Sequence, residues 1–265
     1  MSNIAITQSE LGFVRAHVLR SERISPHVMR VTLGGGDLEQ FVYQGFDQWF
    51  RLAIPVHGDD RFENLPGKFG IGGYLKFLTS PKGTRPVIRN YTIRNFRYEP
   101  AELDIDFVVH GTGGVAGPWA EAVEPGTDVA FIDQGCGWKD VPAANTLIVA
   151  DESGMPAALG VLRDLPRDAT GHAIIELFDP ADAQDDSVAP NGIDVRWVFR
   201  DPDDAPGSDA LAALRELDHG SSVCAFAVGE SSLATGTRRH LVAAGVPKSN
   251  ITFCGYWKRG KAASN

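Results

Sequence analysis

The chain changes its rhythm near DVPAAN, residues 140–145, and that change constrains the fold more than any single motif. Downstream, TLIVA, AIIELF, VRWVF, VCAFAV and ITFCGYW are short apolar runs rich in β-branched and aromatic residues. Between several of them lie segments of helical character, SDALAALRELD and SSLATGTRRHLVAAG. Strands buried on both faces give such unbroken runs, and helical crossovers between them make the sheet parallel. Upstream, VMRVTL, WFRLAI and LDIDFVVH are separated by Gly- and Pro-rich turns, the pattern of an antiparallel barrel or sandwich. The fold class that follows is a β barrel plus α/β. Residues 1–142 form the antiparallel barrel, and residues 143–265 form a doubly wound parallel sheet with a C-terminal segment. Residues 57–86, rich in Gly, Pro and charge, read as a long loop between barrel strands, and the acidic stretches DPADAQDDSVAP and DPDDAPGSD read as solvated loops.

Composition removes several classes of function. A net charge of -9 opposes general nucleic-acid binding, which needs accumulated Lys and Arg. No apolar stretch approaches the ~20 residues of a membrane helix, so no membrane insertion is expected. The opening MSNIAITQSELGF lacks the basic and apolar regions of a secretory signal, and the expected location is cytoplasmic. Cys136, Cys224 and Cys254 are odd in number and unclustered, which suits a reducing compartment better than a disulfide framework or a zinc site. No compact His/Cys/carboxylate constellation marks a metal site.

Two segments carry candidate chemistry. In VIRNYTIRNF, residues 87–96, strand alternation puts Arg89 and Tyr91 on one face and Asn90 and Thr92 on the other. A flat redox ring could stack on Tyr91 while Arg89 neutralises an attached pyrophosphate and Thr92 offers a hydrogen bond. Taken alone, the stretch equally fits an exposed strand with its tyrosine in the core. In DFVVHGTGGVAGPWAEAV a strand runs into a glycine-rich turn, with Gly111, Gly113, Gly114 and Gly117, and then a short helix near Pro118. Glycines allow close backbone approach and a helix start presents N–H groups to phosphate, although a tight structural turn would look the same. No second His or carboxylate is spaced with His110 as a nucleophilic triad requires, so His110 is assigned backbone contacts and no acid–base role.

Taken in order, the segments resemble the siderophore-interacting protein family of FAD-dependent ferric-siderophore reductases, within the ferredoxin–NADP reductase superfamily. RVTLGGGDLEQF and DQWFRLAIP resemble its early strands, with Arg51 where a basic residue is usual. RNYTIR is similar to the R-x-Y-[TS]-x-R flavin motif, and LDIDFVVHGTGGVAGPWA to the D-I-D-F-V-x-H-G segment and the turn after it. DESGMPA stands for D-E-T-A-x-P-A, VGE for A-G-E and GYWKRG for the terminal G-Y-W-x-x-G. The resemblance covers nearly the whole chain. It implies an FAD-binding barrel and an NAD(P)H-binding α/β domain, with NADPH or NADH as reductant.

By this resemblance Arg89, Asn90, Tyr91 and Thr92 hold the flavin, with further contacts from Val109, His110, Gly111, Gly113, Gly114, Val115, Ala116 and Gly117. Asp151, Ser153 and Gly154, with Gly229 and Glu230, line the nicotinamide side. Tyr91, Thr92 and Ser153 are then the flavin-adjacent residues, and none acts as acid or base. The chain departs from the pattern at Val115 for proline, Gly117 for Ser or Thr, Ser153 for threonine and Gly154 for alanine. Arg200 and Arg238 or Arg239 are candidates for an adenosine ribose phosphate, each also readable as a surface charge. Arg51, Lys258, Arg259 and Lys261 are candidates for an anionic ferric siderophore, the last three also readable as a solvated tail.

The implied chemistry passes a hydride from nicotinamide C4 to flavin N5, and then single electrons to iron(III). Hard oxygen donors hold ferric iron better than ferrous iron, so reduction loosens the chelate. The expected partner is a small-molecule ferric siderophore, and the expected state is a monomer. Other readings are an NAD(P)H:flavin, ferredoxin or flavodoxin-type reductase, or a non-enzymatic siderophore carrier.

Overall fold

The structure is a computed structural model that describes residues 2–7, 12–55, 86–109 and 114–261. Its strands and helices fall into two compact units.

The first unit carries β1 (Phe13–Ser25), β2 (Val28–Gly34), β3 (Trp49–Ile54), β4 (Val87–Thr92), β5 (Asn95–Tyr98), β6 (Ala101–Val108) and β7 (Asp128–Gly135). A short helix, α1 (Ala116–Ala122), joins the last two. The strands form one sheet in the order β4-β3-β7-β1-β2-β6-β5, and every neighbouring pair is antiparallel. The two edge strands, β4 and β5, are separated in sequence by Ile93 and Arg94 alone. A chain spans at most about 3.5 Å per residue, so the sheet has to curl until its edges nearly meet. The Ile93 N–H donates to Gln48 O on one side, and the Arg94 N–H donates to Asp104 O on the other. The result is a barrel-like sheet.

Strand β6 shows why the sequence chooses this form. Leu103, Ile105 and Phe107 are buried in the core with Val31, Leu33, Phe50, Leu52 and Phe131. Asp104 and Asp106 alternate with them and meet arginines: Arg97 contacts Asp104 at 2.6 Å and Arg30 contacts Asp106 at 2.7 Å. Period-two alternation thus separates an apolar interior from a paired ionic layer.

The second unit carries β8 (Asn145–Ala150), α2 (Met155–Asp164), β9 (Thr170–Leu177), β10 (Gly192–Phe199), α3 (Ser208–Glu216), β11 (Val223–Glu230), α4 (Ser231–Ala243) and β12 (Ile251–Trp257). All neighbours in the order β10-β9-β8-β11-β12 are parallel. Central β11 is buried at every position, whereas edge strand β10 is mostly exposed or half-buried. The crossover from β9 to β10 contains only a one-turn 3-10 helix, Pro180–Asp182, within the described structure. The strand order reverses between β8 and β11, and the carboxyl ends flanking such a reversal form the ligand-binding crevice of open parallel sheets.

The two units do not follow a single cut in the chain. Residues within Met1–Ala5 and Gly45–Asp47 group with Cys136–Ala263, while those within Ile6–Gln44 and Gln48–Gly135 form the antiparallel unit. Asn3 donates to Ile251 O at 2.7 Å and accepts from the Phe253 N–H at 2.9 Å. Asp47 accepts from the N–H groups of Gly137 and Trp138. These long-range bonds draw two short N-terminal segments into the parallel-sheet unit. The expected loop at 57–86 lies, apart from Pro86, outside the described residues.

Candidate functional site

On β4 the register opposes Tyr91 to Phe50, Arg89 to Leu52 and Asn90 to Arg51. Phe50 and Leu52 are fully buried, so Arg89 and Tyr91 share the core-side face while Asn90 and Arg51 share the other. Tyr91 is half-buried and its ring centre lies 4.3 Å from that of Phe107. Phe107 in turn lies 5.5 Å from Trp119 of α1. Three aromatic rings therefore link the RNYT strand to the helix that follows the glycine-rich segment. Burial pushes the Tyr91 hydroxyl well above its ordinary pKa against the opposing pull of the Arg89 charge. Burial also lowers the pKa of Arg89, whose Nη1 donates to Ile88 O at 2.7 Å. Arg51, expected to serve a siderophore near the flavin, projects from the face opposite Tyr91, because adjacent strand residues alternate sides.

His110, Gly111 and Gly113 lie outside the described residues. Val109 is buried and its N–H donates to His27 O at 2.8 Å, so that N–H is already engaged by the barrel. Gly114 has φ +97°, with nothing among the described residues within 4 Å of where a Cβ would stand. Val115 is exposed, and Ala116 and Gly117 begin α1 half-buried. A Cβ on Gly117 would make only ordinary contacts of 3.8–3.9 Å, so a hydroxyl-bearing residue would also fit there. Beside buried Thr92, across the β3/β4 pair, the Trp49 indole Nε1 is buried with no hydrogen-bond partner among the described residues. An aromatic plate, a guanidinium on the same face and an open positive-φ glycine fit the FAD that the resemblance implies.

In the second unit the crevice at the strand reversal is organised by Asp151. Its Oδ1 accepts from the Ser153 hydroxyl at 2.6 Å, the Ser153 N–H at 2.9 Å and the Gly154 N–H at 3.1 Å. Its Oδ2 accepts from the Glu230 N–H at 2.6 Å and the Trp257 indole at 3.0 Å. One buried carboxylate thus ties together the ends of β8, β11 and β12. Burial, reinforced by neighbouring Glu152, raises its pKa to about 6 against these hydrogen bonds. Gly229, at φ +127°, would place a Cβ 2.4 Å from Asp151 Oδ1, so only glycine fits. A Cβ on Gly154 would stand 2.9 Å from Val228 O, which accounts for glycine where the resemblance has alanine. Ser153 is half-exposed at the crevice. Glu230 is buried and its carboxylate is occupied, accepting from the Ser232 N–H at the start of α4 and from the Arg259 N–H at 3.2 Å.

The expected phosphate-binding arginines fare differently. Arg200 is only 6% exposed and donates twice to Glu152, at 2.9 and 3.0 Å, and once to Glu176, at 2.8 Å. Two buried carboxylates thus hold the guanidinium inside the parallel-sheet unit, where the sequence offered it as a phosphate ligand. Arg238 lies over the Phe253 ring, 5.1 Å from its centre, and Arg239 is exposed on α4. Lys258, Arg259 and Lys261 are exposed after β12, where the Lys261 N–H closes a turn onto Lys258 O at 3.0 Å. Glu152, Glu176 and Trp257 stand in quoted segments but carried no assigned role. The detectable signal was an acid, Glu176, inside the apolar run AIIELF, since an acid there needs a buried partner.

Two family models match successive parts of the chain. A model described as siderophore-interacting FAD-binding domain matches residues 17–137, and one described as siderophore-interacting protein matches residues 143–260. The ferric vibriobactin reductase ViuB of Vibrio cholerae is 32% identical over 249 residues, covering 92% of this chain and 88% of that protein. The chain belongs to the siderophore-interacting protein family. It is a flavin-dependent oxidoreductase. A second family relative, the NADPH-dependent ferric-chelate reductase of Escherichia coli, is 31% identical and covers 94% of both chains. The crystal structure of a siderophore utilization protein from T. fusca superposes with a TM-score of 0.78 at 29% identity, covering 98% of each chain. No helix among the described residues is long and apolar enough to cross a membrane.

Proposed function

We propose that the protein is an NAD(P)H-dependent, FAD-containing ferric-siderophore reductase that releases iron as Fe(II). The observation that carries this reading is the shared β4 face of Arg89 and Tyr91, linked through Phe107 to the helix after the glycine-rich segment. Tyr91 offers its ring to the isoalloxazine, and Arg89 offers charge to the pyrophosphate. Gly114, open at its Cβ position among the described residues, offers its backbone N–H to a phosphate. Bound FAD supplies the conversion of a two-electron hydride into the single electrons that iron(III) requires. In the parallel-sheet unit, Asp151 fixes Ser153 and Gly154 at the end of β8, where Ser153 can orient a nicotinamide amide. Lys258 and Arg259 offer charge to an anionic chelate. The substrate class follows from chemistry: catecholate and hydroxamate oxygens release iron once it is reduced.

The test begins with purified protein, which should be yellow and should bleach anaerobically on adding NADH or NADPH. A panel of ferric siderophores and oxidised ferredoxin is then added to the reduced protein with a ferrous trap. Rapid Fe(II) formation with siderophores supports the reading. Reoxidation by ferredoxin alone, or a colourless protein that cannot be loaded with FAD, overturns it.

A further inference from the structure

The ends of β9 and β10 carry nearly the same residues, Phe178-Asp179-Pro180-Ala181-Asp182 and Phe199-Arg200-Asp201-Pro202-Asp203. In a sheet of this order, the half built on the first strands takes the adenosine end of a dinucleotide. An acid near the second strand end reads the ribose 2′-hydroxyl, whereas an arginine there accepts a 2′-phosphate. Whether an unspent positive group stands at these ends therefore decides between the two nicotinamide nucleotides.

At the ends of β9 and β10, the two groups able to attract a phosphate are already occupied. Arg200, the one cation in residues 178–209 apart from edge-strand Arg196, is buried between Glu152 and Glu176. The N–H groups that open α3 are covered too. Glu176 accepts from Gly207 at 2.6 Å, Asp209 at 3.0 Å and Ala210 at 2.9 Å. What remains at the surface is acidic, with Asp201, Asp203 and Asp204 exposed. Asp179 is half-buried at the end of β9. Its Oδ1 accepts from the Ala181 N–H at 2.8 Å, and its Oδ2 has no partner among the described residues.

We propose that this protein takes NADH in preference to NADPH: Asp179 accepts from the adenosine 2′-hydroxyl, and Asp201 and Asp203 repel a 2′-phosphate. The inference rests on the reductase reading above and specifies its electron donor. A 2′-phosphate carries close to two negative charges at neutral pH and would meet carboxylates at these strand ends, where the Arg200 guanidinium is already engaged. An uncharged hydroxyl meets an acceptor instead. Like-charge juxtaposition of this kind excludes a ligand even where the rest of it fits.

The experiment compares ADP-ribose with 2′-phospho-ADP-ribose by calorimetric titration of the FAD-loaded protein, and NADH with NADPH by anaerobic stopped-flow bleaching. ADP-ribose should bind about tenfold tighter or better at low salt, with the gap narrowing as salt rises. NADH should show the same advantage in bleaching. The variant carrying Asp179→Asn, Asp201→Asn and Asp203→Asn should lose most of the discrimination. Equal or tighter binding of the 2′-phosphate form, or discrimination unchanged in the variant, overturns the proposal. If neither nucleotide bleaches the flavin, the reductase reading falls, and the ADP-ribose comparison still decides this proposal.

Discussion

Replacing Arg200 with Met removes the guanidinium while keeping an unbranched side chain of similar length. The loss falls unequally on its two partners. Glu176 retains three backbone N–H donors, whereas Glu152 loses both bonds that its oxygens make with Arg200, with only 4% of its side chain exposed. Stranding one partner of a buried ion pair typically costs 3–5 kcal/mol, and the remaining donors on Glu176 favour the lower end, about 3 kcal/mol. At an m-value of about 1.5 kcal/mol/M, the unfolding midpoint of the parallel-sheet unit should fall by about 2 M urea. Glu152→Gln added to Arg200→Met should recover about half of that, because a neutral amide costs less to bury than an unpaired carboxylate. Urea titration followed by circular dichroism and tryptophan fluorescence measures each step. A variant as stable as the wild type but selectively weakened toward 2′-phospho-ADP-ribose would refute the reasoning and restore Arg200 as a phosphate ligand.

On the flavin side, Arg89→Ala should weaken FAD retention by roughly ten- to a hundredfold, the worth of a charge-assisted bond of about 1.5–3 kcal/mol; titration of the apoprotein with FAD measures it, and wild-type affinity in a folded variant removes Arg89 from that role. Tyr91→Ala should also alter the bound flavin spectrum, and an unchanged spectrum would exclude stacking on that ring. For pH dependence, burial raises Asp47 to about 6, above the value of about 3.9 in an unfolded chain. The native state then takes up its proton first on acidification, so the contribution of this group to stability rises as pH falls from about 7 to 4. Unfolding free energies of wild type and Asp47→Asn across that range should therefore diverge in favour of the wild type, and a flat difference would show that Asp47 titrates normally.

The backbone periods of the two sheets were legible in the chain itself. Alternating Leu103, Asp104, Ile105, Asp106 and Phe107 is a pattern that only a strand with one apolar face satisfies, and β6 is that strand. The unbroken run VCAFAV likewise calls for a strand covered on both sides, and β11 is central in the parallel sheet. Such signals survive in sequence because side-chain direction repeats every two residues whatever the distant chain does. The same geometry placed Arg89 and Tyr91 on one face, and the ordered motifs identified the family. Tertiary structure decided how the charges are spent. Arg200 meets Glu152 and Glu176 across separations of 48 and 24 residues, and Asp151 meets Glu230 and Trp257 across 79 and 106. Strand order brings these groups together, and no local pattern encodes that order. Once they are buried, the cost of an unpaired charge makes each seek a partner, so an arginine that reads as a phosphate ligand in the chain becomes a buried brace in the fold.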